Sequence, residues 1–265
     1  MKQLSVVTGV IRYEFLMQLR RKSVWIAFVL MAALLAFLLN QFLALVGKPA
    51  GSGGPLFSER DIVIFWTQST ATLLPLGAGL LLADRMPRDR RTNVYELLRT
   101  TPSAIYARLG GKYVGAILAT LIPALLVQLI GLGVLVAHFH DASVIPLSLL
   151  TFVVLVVPPV LFVGAYSIAC TTLLWTPLYM FLFIGYWLWT NLNPSQQIPT
   201  LGGTYLSPGE NYVYSSFFNF LGYRDGFYHP AAVWQGILNI AVLLALALIA
   251  LVAAWRIQVA QANRN

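Results

Sequence analysis

The feature that most constrains this chain is the repetition of long apolar runs. Six can be read, at about residues 24–46, 62–83, 113–137, 145–171, 174–192 and 232–255. Runs on the order of 19 to 27 residues, at about 1.5 Å of helical rise each, cover the roughly 30 Å hydrocarbon core of a bilayer. The expected fold is therefore an all-α integral membrane protein with six transmembrane helices in a single domain, residues 1–265. Composition agrees: 58% of residues are hydrophobic and 10% charged, which excludes an ordinary soluble domain. The first run is too long for a signal peptide, has no Ala-x-Ala site after it, and opens near Trp25 as an interfacial anchor does. It is expected to be retained.

Charge sets the orientation. Five basic residues precede the first run (Lys2, Arg12, Arg20, Arg21, Lys22), seven lie in residues 84–112, and Arg256 and Arg264 follow the last run. That places fourteen of the seventeen Lys and Arg on one side, against Lys48, Arg60 and Arg224 on the other. The positive-inside rule puts both termini and the 84–112 stretch in the cytoplasm, and the expected location is a cell membrane, a prokaryotic inner or plasma membrane. The net charge of +8 is spread beside apolar runs instead of forming a basic face, so nucleic acid is not an expected partner.

Two polar segments carry local structure. Within 84–112, Asn93 can cap a short helix with Glu96 three residues on, and Val94, Leu97 and Leu98 give that helix an apolar side. Thr101 before Pro102 starts the next helix, so the stretch is a rigid corner. In residues 1–23, Leu4, Val7, Ile11, Phe15 and Leu19 recur at helical spacing. Lys2, Ser5, Gly9, Arg12 and Arg20 fall largely opposite, while Thr8, Tyr13 and Leu16 blur the division. An amphipathic helix in the inner headgroup layer is expected there, apolar side down and basic side toward anionic lipid. Arg12, Glu14 and Phe15 are its marked residues, because a pure topology signal has no use for the acid Glu14.

These segments also carry a resemblance. Asp84, the charged turn through Arg88, Asp89, Arg90 and Arg91, then Glu96-Leu97-Leu98, Thr100-Thr101-Pro102 and Gly111-Lys112 resemble the permease subunits of ABC exporters of the second class. Arg12-Tyr13-Glu14-Phe15 followed by Leu19-Arg20 is similar to that family's opening helix. The chain departs at Asn93-Val94, where the family has Gly-Thr, and at Arg99, where an apolar residue is commoner. The resemblance implies that 84–112 forms a coupling helix resting on a separate ATPase subunit, with Arg90, Arg91, Glu96, Leu97 and Leu98 at the contact. It further implies two permeases, identical or paralogous, and ATP and Mg on the partner with no cofactor in this chain. It also implies a re-entrant segment before the last span, where residues 193–231 hold a dense run of aromatics. Those rings read either as an outer gate or as an interfacial cap.

The spans hold no Asp, Glu, Lys, Arg or His at mid-depth, where an ion-coupled carrier keeps one; an energy source outside the chain is expected. Gln68, Thr70, Gln128 and Asn239 read either as a translocation path or as hydrogen bonds between helices. Pro75, Pro123, Pro158 and Pro159 predict kinks. Gly111 with Gly115, and Gly77 or Gly79, are spaced for close helix approach, within one chain or in a dimer. His138, His140, Asp141 and His229 face outward and read as plain polar loop residues, with copper or zinc as the sharper alternative. Cys170 reads as a small span residue. No phosphate-binding loop, His-Glu-x-x-His or Gly-x-Ser-x-Gly is present; Gly47-Lys48-Pro49 and Gly111-Lys112-Tyr113 lack the spacing. Catalysis by this chain alone is not expected. A self-sufficient carrier or channel, and a non-transporting scaffold, are the rival classes.

Overall fold

The computed structural model describes residues 2–44, 58–85, 104–191, 200–209, 211–219 and 230–263. Among these the regular structure is entirely helical. In chain order the helices are α1 (Lys2–Leu19), α2 (Lys22–Leu43), α3 (Glu59–Ala83), α4 (Ile105–Phe139), α5 (Val144–Cys170), α6 (Thr176–Asn191), α7 (Asn211–Phe218) and α8 (Val233–Ala262).

Four of them, α2, α4, α5 and α8, are long and apolar enough to cross a membrane. Their outer faces carry large exposed apolar side chains, such as Leu30, Ile130, Val153 and Ile249. This is the surface of a membrane protein, whose helices associate through packing and hydrogen bonds, since lipid is as apolar as they are.

The other two expected spans depart from that pattern for physical reasons. Helix α6 is apolar but has 16 residues, about 24 Å of rise. Helix α3 has 25 residues but is polar through its middle. It lies inside the bundle, with Ile62, Ile64, Leu74 and Ala78 wholly buried, so its composition answers to other helices and not to lipid. Its hydroxyls are largely self-satisfied: Thr67, Ser69, Thr70 and Thr72 donate to the carbonyls of Val63, Phe65, Trp66 and Gln68 at 2.9–3.0 Å. Such back-bonds remove the cost of a polar group without recruiting water. At its start, Ser58 and Asp61 form a capping box.

The prolines act as their chemistry requires. Pro158 and Pro159 remove two backbone donors from α5, and the helix passes through a π turn at Phe152–Val156 just before them. Pro75 leaves α3 continuous, and the Trp187 indole of α6 donates to the Thr72 carbonyl, one turn back, at 2.9 Å.

The described parts of the aromatic segment fold back on the bundle. Ser207 Oγ donates to Thr190 O at 3.2 Å and Tyr186 OH to Leu206 O at 3.0 Å. Val213 and Tyr214 of α7 are completely buried, in one apolar cluster with Phe28, Ile64, Leu74 and Leu155. Gly236 of α8 lies directly under Ser216 and Phe217 of α7.

Candidate functional site

Polar and charged groups converge where α1, α3 and α4 meet. The geometry starts from two glycines one turn apart on α4. A Cβ at Gly115 would stand 2.7 Å from the Ile11 carbonyl oxygen and 2.8 Å from Glu14 Cβ; one at Gly111 would stand 2.8 Å from Val10 Cγ1. The small residues thus form a groove that admits the backbone of α1. The close approach that their spacing predicts is made within this chain.

That docking decides which face of α1 is buried. Glu14 and Gln18, 5% and 3% exposed, are the most buried of the described α1 side chains, while Arg12, Tyr13, Leu16 and Arg20 face outward and Phe15 is half-buried. The expected apolar positions Val7, Ile11, Phe15 and Leu19 are half-buried beside them. Arg12 and Arg20 are exposed as expected, but the buried stripe runs through an acid and an amide. The reason lies far along the chain: Arg85, just past the end of α3, donates from Nη1 to Glu14 Oε2 at 3.2 Å. Both side chains are under a tenth exposed. Helical periodicity cannot register a partner 71 residues away.

Around the pair, Lys112 lies within electrostatic reach of both Glu14 and Arg85. Asp84, the C-cap of α3, sits 3.5 Å from Arg21 at the α1–α2 corner, in a more exposed setting. The two contacts differ in weight. An exposed pair contributes about 0–1 kcal/mol, whereas removing one member of a buried pair costs roughly 3–5 kcal/mol because a desolvated charge is left alone. Glu14–Arg85 is the structural clamp. Arg85 is the buried partner that sequence reasoning missed; its signal is an Asp-Arg pair at the end of an apolar run, matched to the one acid of a basic N-terminal segment.

Arg90, Arg91, Glu96, Leu97 and Leu98, with Asn93 and the Thr101-Pro102 start, lie outside the described residues, between Arg85 and Ala104. The described residues on either side fix where that polar stretch leaves and rejoins the bundle.

The four polar residues singled out in the apolar runs occupy separate settings. Gln128 of α4, fully buried, donates from Nε2 to Thr67 Oγ1 of α3 at 2.9 Å and to Ser148 Oγ of α5 at 3.0 Å. Thr67 Oγ1 also meets Thr151 Oγ1 at 2.9 Å, so three helices share one polar knot. Thr70 bonds back to its own helix, and Gln68 is half-buried beside it. Asn239 of α8 donates from Nδ2 to the carbonyls of Tyr205 at 2.9 Å and Ser207 at 3.3 Å. Gln128 and Asn239 therefore fasten different elements.

At the far end of α4, His138 and His140 are exposed, and His140 ends the helix in a left-handed conformation, φ 57°. The Ser143 hydroxyl and then its N–H hold the Asp141 carboxyl below the usual carboxylate range. His229 is outside the described residues. Among the described residues no group of three or more His, Cys, Asp or Glu is arranged to hold a metal ion. Compared with known proteins, the chain matches no family model and no curated sequence.

Proposed function

We propose that this chain is the membrane-spanning subunit of an ATP-driven exporter, paired with a second permease and coupled to separate ATPase subunits. In this reading all six apolar runs cross the bilayer, both termini and the 84–112 stretch are cytoplasmic, and α1 lies at the inner interface. The segment before α8 dips back into the outer leaflet. ATP and Mg belong to the partner.

The observation that carries the reading is the Glu14–Arg85 clamp. It fastens α1 to the point where the polar stretch with the Glu96-Leu97-Leu98 sequence leaves α3. A force applied to that stretch from below would reach α1 and α3 as one unit. Gly111 and Gly115 seat α1 on α4, so the helix that receives the stretch joins the same unit. Elements held this way transmit displacement as rigid bodies, because packed helices do not deform continuously. The mid-spans hold no Asp, Glu, Lys, Arg or His, which removes the usual device of an ion-driven carrier.

The experiment places a single cysteine in the polar stretch. With Cys170→Ser as background, Glu96→Cys is crosslinked in native membranes and the attached protein identified. A nucleotide-hydrolysing subunit in the adduct is the expected result. Adducts with lipid or with a second copy alone would overturn the coupling role and favour a self-sufficient carrier or a scaffold.

A further inference from the structure

The outer end of α3 has a contact that mirrors the inner one. Arg60, in its first turn, donates from Nη2 to the carbonyl of Phe218 at 3.1 Å, across 158 residues of sequence. Phe218 is the last residue of α7, and Asn219 after it has a left-handed φ of 51°. Helix α7 therefore ends abruptly, leaving carbonyls that no further helical turn satisfies. A guanidinium at that position bonds a carbonyl of the helix's last turn and faces the negative end of the helix dipole. Apart from this bond, α7 leans on α8, with Gly236 beneath Ser216 and Phe217, and on the π turn of α5 through its shared apolar cluster.

We infer that Arg60 is a latch that fixes the outer helix α7 to α3, and that α3 carries the state of the inner Glu14–Arg85 junction to it. The rod between the two ends has the bonds such a role needs. Thr67 meets Thr151 and Gln128, the Thr72 carbonyl accepts from Trp187, and the Gly79 carbonyl accepts from Ser167 at 3.2 Å. These stiffen α3 along its length, and its two charged ends bond the peripheral helices, Arg85 to Glu14 of α1 and Arg60 to the Phe218 carbonyl of α7. A shift of α3 at Arg85 moves Arg60 with it, and the Phe218 carbonyl must follow or let go. The inference needs no ATPase, so it stands or falls separately from the exporter reading.

Hydrogen exchange on the full-length protein in nanodiscs tests it. Arg60→Gln is expected to speed exchange in residues 211–218 on the order of tenfold, the loss of one charge-assisted bond, with residues 176–191 of α6 unchanged. Glu14→Gln, at the opposite end, is expected to speed exchange in 211–218 as well. The charge-swapped double variant Glu14→Arg with Arg85→Glu should restore protection there. Unchanged exchange in 211–218 for Arg60→Gln removes the latch. A response to Glu14→Gln confined to residues 2–19 removes the transmission. If Glu14→Gln loosens α6 too, the swapped pair decides: recovery of 2–19 without recovery of 211–218 overturns the inference.

Discussion

Glu14 shows what a single residue discloses and what it withholds. An acid among basic residues is conspicuous in the sequence, and its presence separates a built helix from a plain topology signal. Its partner was not legible, because nothing local links position 14 to position 85. Burial makes the pair consequential in one direction only. Glu14→Gln leaves Arg85 desolvated with Lys112 still nearby, and is expected to lower unfolding free energy by about 3–5 kcal/mol. Arg21→Gln removes a partly exposed contact and should cost under about 1 kcal/mol. Denaturant unfolding in detergent micelles, followed through helical circular dichroism, compares them. Equal losses for the two variants would mean that the Glu14 carboxylate is solvated and the clamp does not exist. The same asymmetry applies to reading a sequence for function: Gln128 and Asn239 were visible as polar residues in apolar runs, but only the contacts reveal that Gln128 joins three helices and Asn239 holds the segment before α7.

Among the elements, the six apolar runs all fall on helices, α3 and α6 included; what the runs do not tell is which helices face lipid and which face protein. Helices α2, α4, α5 and α8 stand out because lipid demands apolar side chains on their outer faces. Helix α3, read as the run 62–83, differs in the hydroxyls that its burial among other helices allows, and α7 is held in place by tertiary burial and not by periodicity. The π turn had no signature of its own, although the Pro158-Pro159 pair marked the place. Close helix approach was legible as glycine spacing, and its energetics depend on what each glycine meets. At Gly115 the obstacle is the backbone oxygen of Ile11, 2.7 Å from a new Cβ; at Gly164 it is the methyl tip of Ile117. A methyl tip can rotate away, whereas a docked backbone cannot. Alanine in a helix gains about 0.5–1 kcal/mol over glycine, so Gly164→Ala should be near neutral. Gly115→Ala should lift α1 from its groove and expose it to protease while α4 stays folded. Limited proteolysis with N-terminal sequencing reads this directly, and equal resistance of α1 in both variants would show that the groove is not what seats it.

For the whole molecule the open quantity is how many helices cross the bilayer, and packing supplies an argument that composition does not. Helix α3 runs antiparallel to α2 along its length: Gly77 lies against Met31, and Phe65 stacks on Phe42. It is likewise antiparallel to α6, with Thr72 bonded to Trp187 and the Gly79 carbonyl near the Ser167–Tyr179 pair. Where α2 crosses, α3 lies beside it at the same depth, and α6 beside α3. A scheme of four crossings would also send the seven basic residues of 84–112 to the outer side, against the positive-inside rule. The termini cannot separate the schemes, since both put them on one side. The turns can, because omitting α3 and α6 exchanges the sides of the α4–α5 and α5–α6 connections. In a Cys170→Ser background, His140→Cys and Trp175→Cys place thiols at exposed positions in those two turns. With six crossings, a membrane-impermeant maleimide applied to intact cells labels His140→Cys, and Trp175→Cys reacts only after the membrane is opened. The reverse pattern would leave α3 and α6 as helices that do not span, and with them would fall the cytoplasmic position of the stretch on which the coupling role depends.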